Sequence, residues 1–123
     1  KVTRRRGRIY WINFGVNIGS EFNFPHFCVV IKEFDYTAIV IPISTVKQND
    51  PEWKCTKNLI IEIGCIEDLP EEKKVCYAMV NQIRTVSKKR LSDYKYKGKF
   101  IKMKLNNEQL DIIDNAIKSL CKK

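Results

Sequence analysis

The stretch Ala38-Ile39-Val40-Ile41-Pro42-Ile43 is the most apolar part of this chain and decides the class of its fold. Its short length and its β-branched residues favour a buried strand over a helix. Pro42 has no N–H to donate to a neighbouring strand. We therefore expect it at a strand end, at a sheet edge or at a bulge.

Several other short apolar runs have the same character, and turn signals built from Gly, Pro, Asn and Asp separate them. We predict strands over residues 9–14, 28–31, 38–43 and 58–63, and one long or broken strand over 75–80 and 82–86. Residues 94–105 alternate lysines with aromatic or aliphatic side chains. This alternation predicts a further strand segment with its lysines on one face.

The end of the chain has the pattern of an amphipathic helix. Asn106 is a candidate N-cap, and Gln109 is its candidate partner in a capping box. The apolar residues that follow recur at spacings of three and four, namely Leu110, Ile113, Ile117 and Leu120. Short strands followed by one helix predict a mainly β fold, a small and strongly curved antiparallel sheet or barrel whose one end the helix covers.

Length and composition limit the possible classes of protein. The chain has 123 residues, of which 44% are hydrophobic and 30% charged, and we expect a single domain over residues 1–123. No apolar run reaches the length of a membrane helix, and the basic start lacks the apolar stretch of a secretory signal. Lys and Arg total 23 against 14 Asp and Glu, so the net charge is +9. This excess makes phosphate-rich or acidic partners the first candidates.

The cysteine pattern indicates a reducing compartment. The chain has five cysteines, an odd number, and no C-x-x-C pair, which argues against a disulfide framework. Its one histidine also argues against a zinc site, so we expect no metal and no other cofactor. We predict a cytoplasmic protein in which Cys28 and Cys76 behave as small apolar residues and all five cysteines are dispensable.

Three segments in the same order resemble the PemK/MazF family of type II toxins. They are residues 6–14 (RGRIYWINF), residues 19–21 (GSE), and residues 81–86 (NQIRTV) followed by 89–91 (KRL). Each motif alone is unspecific, but all of them occur in register, and the resemblance extends from Arg6 to Leu120. It implies an SH3-like β-barrel with a C-terminal helix. It also implies a homodimeric, metal-independent endoribonuclease that cleaves single-stranded RNA, including mRNA, and that an acidic antitoxin inhibits.

The resemblance also indicates the catalytic residues. The family's Ser or Thr at the end of the third strand matches Ser44, and the Glu of its loop matches Glu21. The position of the family's catalytic Arg falls on His26, which is a departure from the pattern. A histidine can carry a proton at neutral pH, whereas an arginine mainly stabilises charge. A structural role remains open for each residue: His26 orienting its loop, Ser44 bonding its own turn and Glu21 as a solvated charge.

The basic and polar residues near these motifs are candidates for RNA contact. They are Arg4, Arg5, Arg6, Arg8, Ser20, Gln82, Arg84, Lys88, Lys89 and Arg90. We read Gln82 and Arg84 as neighbours on one face of a strand. The arginines beside the first strand favour a surface that follows phosphates, although solvated surface charge remains the alternative.

Two other functions remain open. The first is a nucleic-acid-binding barrel of the same family that has lost catalysis because His26 replaces the family Arg. The second is a toxin on the same fold that poisons a protein such as DNA gyrase. Incubation of the protein with a long RNA in EDTA distinguishes these hypotheses from RNA cleavage.

Overall fold

A computed structural model of the chain describes residues 5–12, 26–44, 60–66 and 75–120. The first five strands are β1 (Arg8–Ile12), β2 (His26–Glu33), β3 (Thr37–Ser44), β4 (Ile60–Cys65) and β5 (Val75–Met79). The later ones are β6 (Arg84–Ser87), β7 (Leu91–Ser92), β8 (Tyr94–Tyr96), β9 (Lys99–Ile101) and β10 (Met103–Lys104). Two 3-10 turns, Val80–Gln82 and Lys88–Arg90, flank β6, and helix α1 (Asn107–Leu120) follows β10.

The main sheet is antiparallel and has the strand order β10-β1-β2-β3-β5-β4. Strand β6 pairs with the first half of β3, and β7 pairs with the end of β1. The register shifts between Val30 and Lys32 and between Glu62 and Gly64, where Gly64 has φ +82°. Such bulges bend strands and increase their twist, which curls the sheet. The prediction of a mainly β fold with a C-terminal helix is confirmed.

Both faces of the central strand β3 are covered. Ile41 and Ile43 lie in a buried apolar cluster that includes Ile113 of α1. Ala38 and Val40 lie in a second buried cluster, to which other strands contribute. Successive side chains of a strand point to opposite faces, so a strand buried on both sides is apolar at every position.

Pro42 lies two residues before the end of β3, where the strand partner changes. Val40 pairs with Arg84 of β6, and Ile43 pairs with Ala78 of β5. The 3-10 turn Val80–Gln82 joins these two partners, so the register skips Pro42 on that side. A residue without an N–H is therefore accommodated there, close to the strand end as predicted.

The capping box of α1 is confirmed. The amide N–H of Gln109 donates to Oδ1 of Asn106 over 2.8 Å, and the amide of Asn106 donates to Oε1 of Gln109 over 3.0 Å. In the predicted apolar stripe, Ile113 is buried and both Leu110 and Ile117 are half-buried, while the side chain of Leu120 is outside the described residues. Within the part of the chain that the structure describes, no helix has the length and apolarity to cross a membrane.

The prediction of one alternating segment over residues 94–105 is wrong. Strands β8 and β9 form a hairpin whose turn is Lys97-Gly98, and β10 follows after it. Both turn residues have positive φ, +50° and +83°, as in a type I′ turn. The turn reverses the chain and pairs Lys95 with Phe100 on one face of the hairpin. Lys95 and Phe100 therefore lie on the same face of the hairpin, whereas the simple alternation placed them on opposite faces.

Candidate active site

The backbones of His26 and Ser44 come together at one end of the sheet. Phe27 pairs with Ile43 in the antiparallel register of β2 and β3, and both strands extend one residue further. The same register therefore sets the backbone of His26 opposite that of Ser44. Directly opposed residues in such a pair have Cα atoms about 4.5–5.5 Å apart. The two residues that the resemblance aligns with the family's catalytic pair are thus neighbours across two strands.

Two further residues continue this row across the sheet. Ser44 pairs with Tyr77 of β5, and Tyr77 pairs with Glu62 of β4. Directly opposed residues of a sheet share a face. Ser44 is 7% exposed and Tyr77 is 5% exposed, whereas Glu62 at the outer strand is exposed. One end of the sheet thus carries a row of His26, Ser44, Tyr77 and Glu62.

Sequence reasoning missed Tyr77. It lies within the run Val75-Cys76-Tyr77-Ala78-Met79, of which all but Val75 are buried. Strand burial on both sides removes the alternation that would show which face a residue occupies. Only the pairing with Ser44, which is distant in sequence, reveals a hydroxyl at this place.

Three of the predicted site residues, Arg4, Ser20 and Glu21, are outside the described residues. For His26 the structure gives the backbone in β2, and its side chain is likewise outside the description. The roles of these residues stay predictions.

Gln82 and Arg84 are in contact but not on one strand face. Gln82 ends the 3-10 turn, and Arg84 is the first residue of β6. The Arg84 guanidinium donates from Nη2 to Oε1 of Gln82 over 3.1 Å and from Nε to its backbone carbonyl over 3.3 Å. The interpretation that both lie on one strand face is therefore wrong, because the chain turns at Gln82 to pass from β5 to β6. The contact nevertheless orients the Gln82 amide.

The predicted basic residues fall into two groups. Three of them have cationic groups that contact other parts of the fold: Arg6, Arg8 and Lys88. Arg8 donates from Nε to the carbonyl of Met103 over 3.3 Å, and its Nη2 lies 3.7 Å from Oδ1 of Asp93. Of the other described members, Arg84 is half-buried and bonded to Gln82, whereas Arg5, Lys89 and Arg90 are exposed.

Lys88 is a buried lysine. It is 4% exposed, and its Nζ donates to Oε2 of Glu33 over 2.8 Å. The Lys88 backbone amide also donates to the carbonyl of Tyr36 over 3.0 Å. A buried ammonium needs such a partner, and the pair joins the second 3-10 turn to the end of β2.

Burial makes two of the cysteines poor nucleophiles. It raises the pKa of the Cys28 thiol to about 12, although a hydrogen bond with the backbone of Tyr10 acts in the opposite direction. It raises the pKa of the Cys76 thiol to about 11 in the same way. Both remain protonated at neutral pH, and the thiol is much less reactive than the thiolate. This supports their predicted role as apolar packing. Cys55 and Cys121 are outside the described residues.

Within residues 5–12, 26–44, 60–66 and 75–120, no three His, Cys, Asp or Glu side chains are grouped as for a metal ion. Independence from metals stays a prediction.

Comparison with protein families matches residues 5–121 to a family described as the PemK-like, MazF-like toxin of type II toxin–antitoxin systems. The match includes every described strand and helix α1. Among curated proteins, none matches the chain.

Proposed function

Because this chain belongs to the PemK-like, MazF-like family of toxins of type II toxin–antitoxin systems, we propose that it cleaves single-stranded RNA without a metal ion. The observation that carries this proposal is the opposition of His26 and Ser44 at the ends of β2 and β3. These are the two positions that align with the family's catalytic pair. The substrate includes mRNA, and the protein acts in the cytoplasm.

The proposed reaction uses the 2′-hydroxyl of the RNA as its nucleophile. The 2′-oxygen bonds to phosphorus, the bond from phosphorus to the 5′-oxygen breaks, and a 2′,3′-cyclic phosphate remains. The 2′-hydroxyl proton goes to a base, and the leaving 5′-oxygen receives a proton from an acid. Hydrogen-bond donors stabilise the charge on the phosphoryl oxygens in the transition state.

We assign these roles to the site residues as follows. His26 accepts the proton of the 2′-hydroxyl, since an imidazole titrates near neutral pH in a way that a guanidinium does not, and a water molecule supplies the proton to the leaving 5′-oxygen. The Ser44 hydroxyl binds a phosphoryl oxygen, and Glu21 helps to position the attacking hydroxyl. The chain has one histidine, so a scheme with two histidines cannot operate within one site. The proximity of the Tyr77 backbone to Ser44 makes its phenol a second candidate donor for the phosphate.

We propose that the RNA contacts the remaining basic and polar candidates of the sequence, including the amide that Arg84 orients. These are Arg4, Arg5, Ser20, Gln82, Arg84, Lys89 and Arg90. Arg8 and Lys88 act in the fold instead, because both cations already have acceptors there. The protein is a homodimer with an extended groove, and its antitoxin binds the basic surface through acidic residues.

Arg6 is a predicted RNA-binding residue whose contacts indicate a role in stabilising the fold instead. It donates to the carbonyl of Ile31 over 2.8 Å and from Nη2 to both carboxylate oxygens of Asp114 in α1, over 3.0 and 2.8 Å. Arg6→Gln should lower the free energy of unfolding by about 1 kcal/mol, because exposed ion pairs contribute little and the carbonyl also loses its donor. The salt dependence of RNA binding should stay unchanged. Urea unfolding and a salt titration of binding measure the two effects.

Arg5→Gln is the matched control, because Arg5 is exposed and one residue away. It should leave stability unchanged and reduce the slope of log K against log salt by about 0.7, the contribution of one phosphate on a single strand. A reduced slope in Arg6→Gln with unchanged stability would show that Arg6 serves RNA.

The experiment that tests the function is incubation of the purified protein with a long single-stranded RNA in EDTA. Discrete cuts, with ends mapped by sequencing, support the proposal. A Ser44→Ala preparation, purified in parallel, controls for contaminating nucleases. Binding without cuts would favour the catalytically disabled barrel, for which the replacement of Arg by His26 is the specific observation. Absence of both binding and cuts would favour a protein target such as gyrase.

A further inference from the structure

The β8–β9 hairpin, residues 94–101, interrupts a sheet edge. Strand β7 pairs with β1 through Ser92 and Trp11, and β10 pairs with the same strand through Met103 and Ile9. The two short strands therefore form one edge beside β1, and the hairpin leaves the sheet between them. The family motifs quoted above end before it, and none of the site residues lies on it.

One face of the hairpin is attached to the body of the protein. The ring of Tyr94 lies 5.3 Å from that of Trp11 and 4.9 Å from that of Phe27. Ile101, which pairs with Tyr94, packs against the main buried cluster. Phe27 is the neighbour of His26 in β2, so this attachment holds the hairpin beside the strand end that carries the proposed site.

The other face carries an aromatic ring and a cation in the solvent. Phe100 and Lys95 are directly opposed, and both are exposed. Phe100 is 67% exposed, and Nζ of Lys95 lies 5.7 Å from the centre of its ring. Tyr94 and Phe100 thus lie on opposite faces of the same hairpin. Tyr94 is on the face attached to the protein, and Phe100 is on the face in the solvent.

The charge around Phe100 has one sign. Residues 94–105 contain five lysines and no Asp or Glu, and all five lysines are exposed. Single exposed apolar residues are common and need no special explanation. An exposed aromatic ring surrounded by cations is a suitable surface for single-stranded nucleic acid. The phosphates pair with the ammonium groups, and an unstacked base stacks on the ring. A duplex keeps its bases stacked, and an acidic peptide matches the charge without supplying flat aromatic bases.

We propose that this outer face of the β8–β9 hairpin binds single-stranded RNA to one side of the cleaved bond. Phe100 stacks on a base, while Lys95, which shares its face, pairs with a flanking phosphate. The proposal rests on the proposed function and adds an RNA-contacting element outside the catalytic row. It assigns the hairpin to substrate binding and leaves bond cleavage to the adjacent row of His26 and Ser44.

The stacking is tested with a fluorescent single-stranded oligonucleotide whose 2′-positions are O-methylated, so that it cannot be cut. Phe100→Ala should weaken its binding by about 5-fold to 150-fold, the usual effect of losing one base-stacking aromatic. Phe100→Leu, which keeps an apolar side chain without a ring, should weaken binding similarly, and Phe100→Trp should preserve it. Wild-type affinity in Phe100→Leu would overturn the stacking. Circular dichroism checks that each variant is folded.

The phosphate contact is tested by a salt titration of the Lys95→Gln variant. Its slope of log K against log salt should fall by about 0.7, which corresponds to one phosphate on a single strand. Lys32→Gln is the matched control, because it removes the same charge from an exposed position of β2 and should keep the wild-type slope. Equal slopes in the two variants would overturn the proposal.

The outcomes separate this proposal from the proposed function. Wild-type cleavage of RNA together with wild-type binding in all hairpin variants would remove the hairpin proposal alone. Failure of the wild-type protein to bind or cut RNA would remove both. Polyglutamate is the remaining probe: if the hairpin variants lose affinity for it and not for RNA, the surface binds an acidic protein and the RNA proposal is wrong.

Discussion

Replacement of His26 by alanine should lower the rate of single-turnover RNA cleavage by about 10²-fold to 10⁴-fold, the usual cost of losing one acid–base group. The expectation follows from the register of β2 and β3, which sets the backbone of His26 opposite that of Ser44. We propose that the side chain carried at this position acts on the same phosphodiester as Ser44. Rapid-quench measurement with enzyme in excess over RNA isolates this step from product release.

His26→Arg distinguishes two ways in which His26 could act. As a proton carrier, His26 is not replaced by arginine, which remains protonated at all ordinary pH values. As a charged ligand of the phosphate, it is replaced well, because the forked guanidinium suits phosphate oxygens and restores the family residue. We favour the proton carrier. We therefore expect both variants to be slow and the wild-type rate to follow an ionisation near the ordinary histidine range, about pH 6 to 7.

Controls make this result specific to the site. Circular dichroism establishes folding, and light scattering establishes whether each variant keeps the oligomeric state of the wild type. Ser44→Thr should remain active, because the family has either residue at that position and both carry a hydroxyl. If His26→Ala cleaves RNA within about threefold of the wild-type rate, His26 is a structural residue at the end of β2, and the assigned active site is wrong.

Local patterns predicted the elements of this fold well. The β-branched stretch around Val40 forms β3, and Asn106 and Gln109 form the capping box of α1. Both signals depend on residues close together in the chain. The turn at Lys97-Gly98 was missed, because a lysine with φ +50° is unusual and the alternating lysines continued on both sides of it.

The site was less predictable because it depends on pairings between distant residues. His26 lies opposite Ser44 only because of the register between β2 and β3. This register also shifts at an irregularity between Val30 and Lys32, which no local pattern in the sequence indicates. The partners of Arg6 and Lys88 are Asp114 and Glu33, and nothing near either cation in the sequence indicates them. A basic residue that stabilises the fold and one that binds RNA have the same appearance in a sequence.

The largest expected loss of stability comes from Gln109, whose side chain joins α1 to the sheet. It is 7% exposed, and Nε2 donates to the carbonyls of Ile63 over 2.8 Å and Cys65 over 3.0 Å. Gln109→Ala removes the donor of both carbonyls and half of the capping box. The carbonyl of Ile63 is left unsatisfied in a buried place, which costs about 1–3 kcal/mol, whereas the bond to Cys65 is only partly buried. With the lost capping bond, we expect the free energy of unfolding to fall by about 3 kcal/mol. Urea unfolding followed by circular dichroism measures it.

Asn106→Ala separates the contribution of the cap from that of the anchor. It removes the side-chain acceptor for the Gln109 amide but leaves the Nε2 bonds in place, so it should cost about 1 kcal/mol. Glu108→Ala, at the exposed position before Gln109, should change stability by less than about 0.5 kcal/mol. The excess of Gln109→Ala over Asn106→Ala therefore measures what holds α1 against β4. Equal losses in these two variants would mean that the bonds to Ile63 and Cys65 contribute nothing, and that apolar packing around Ile113 alone fixes the helix.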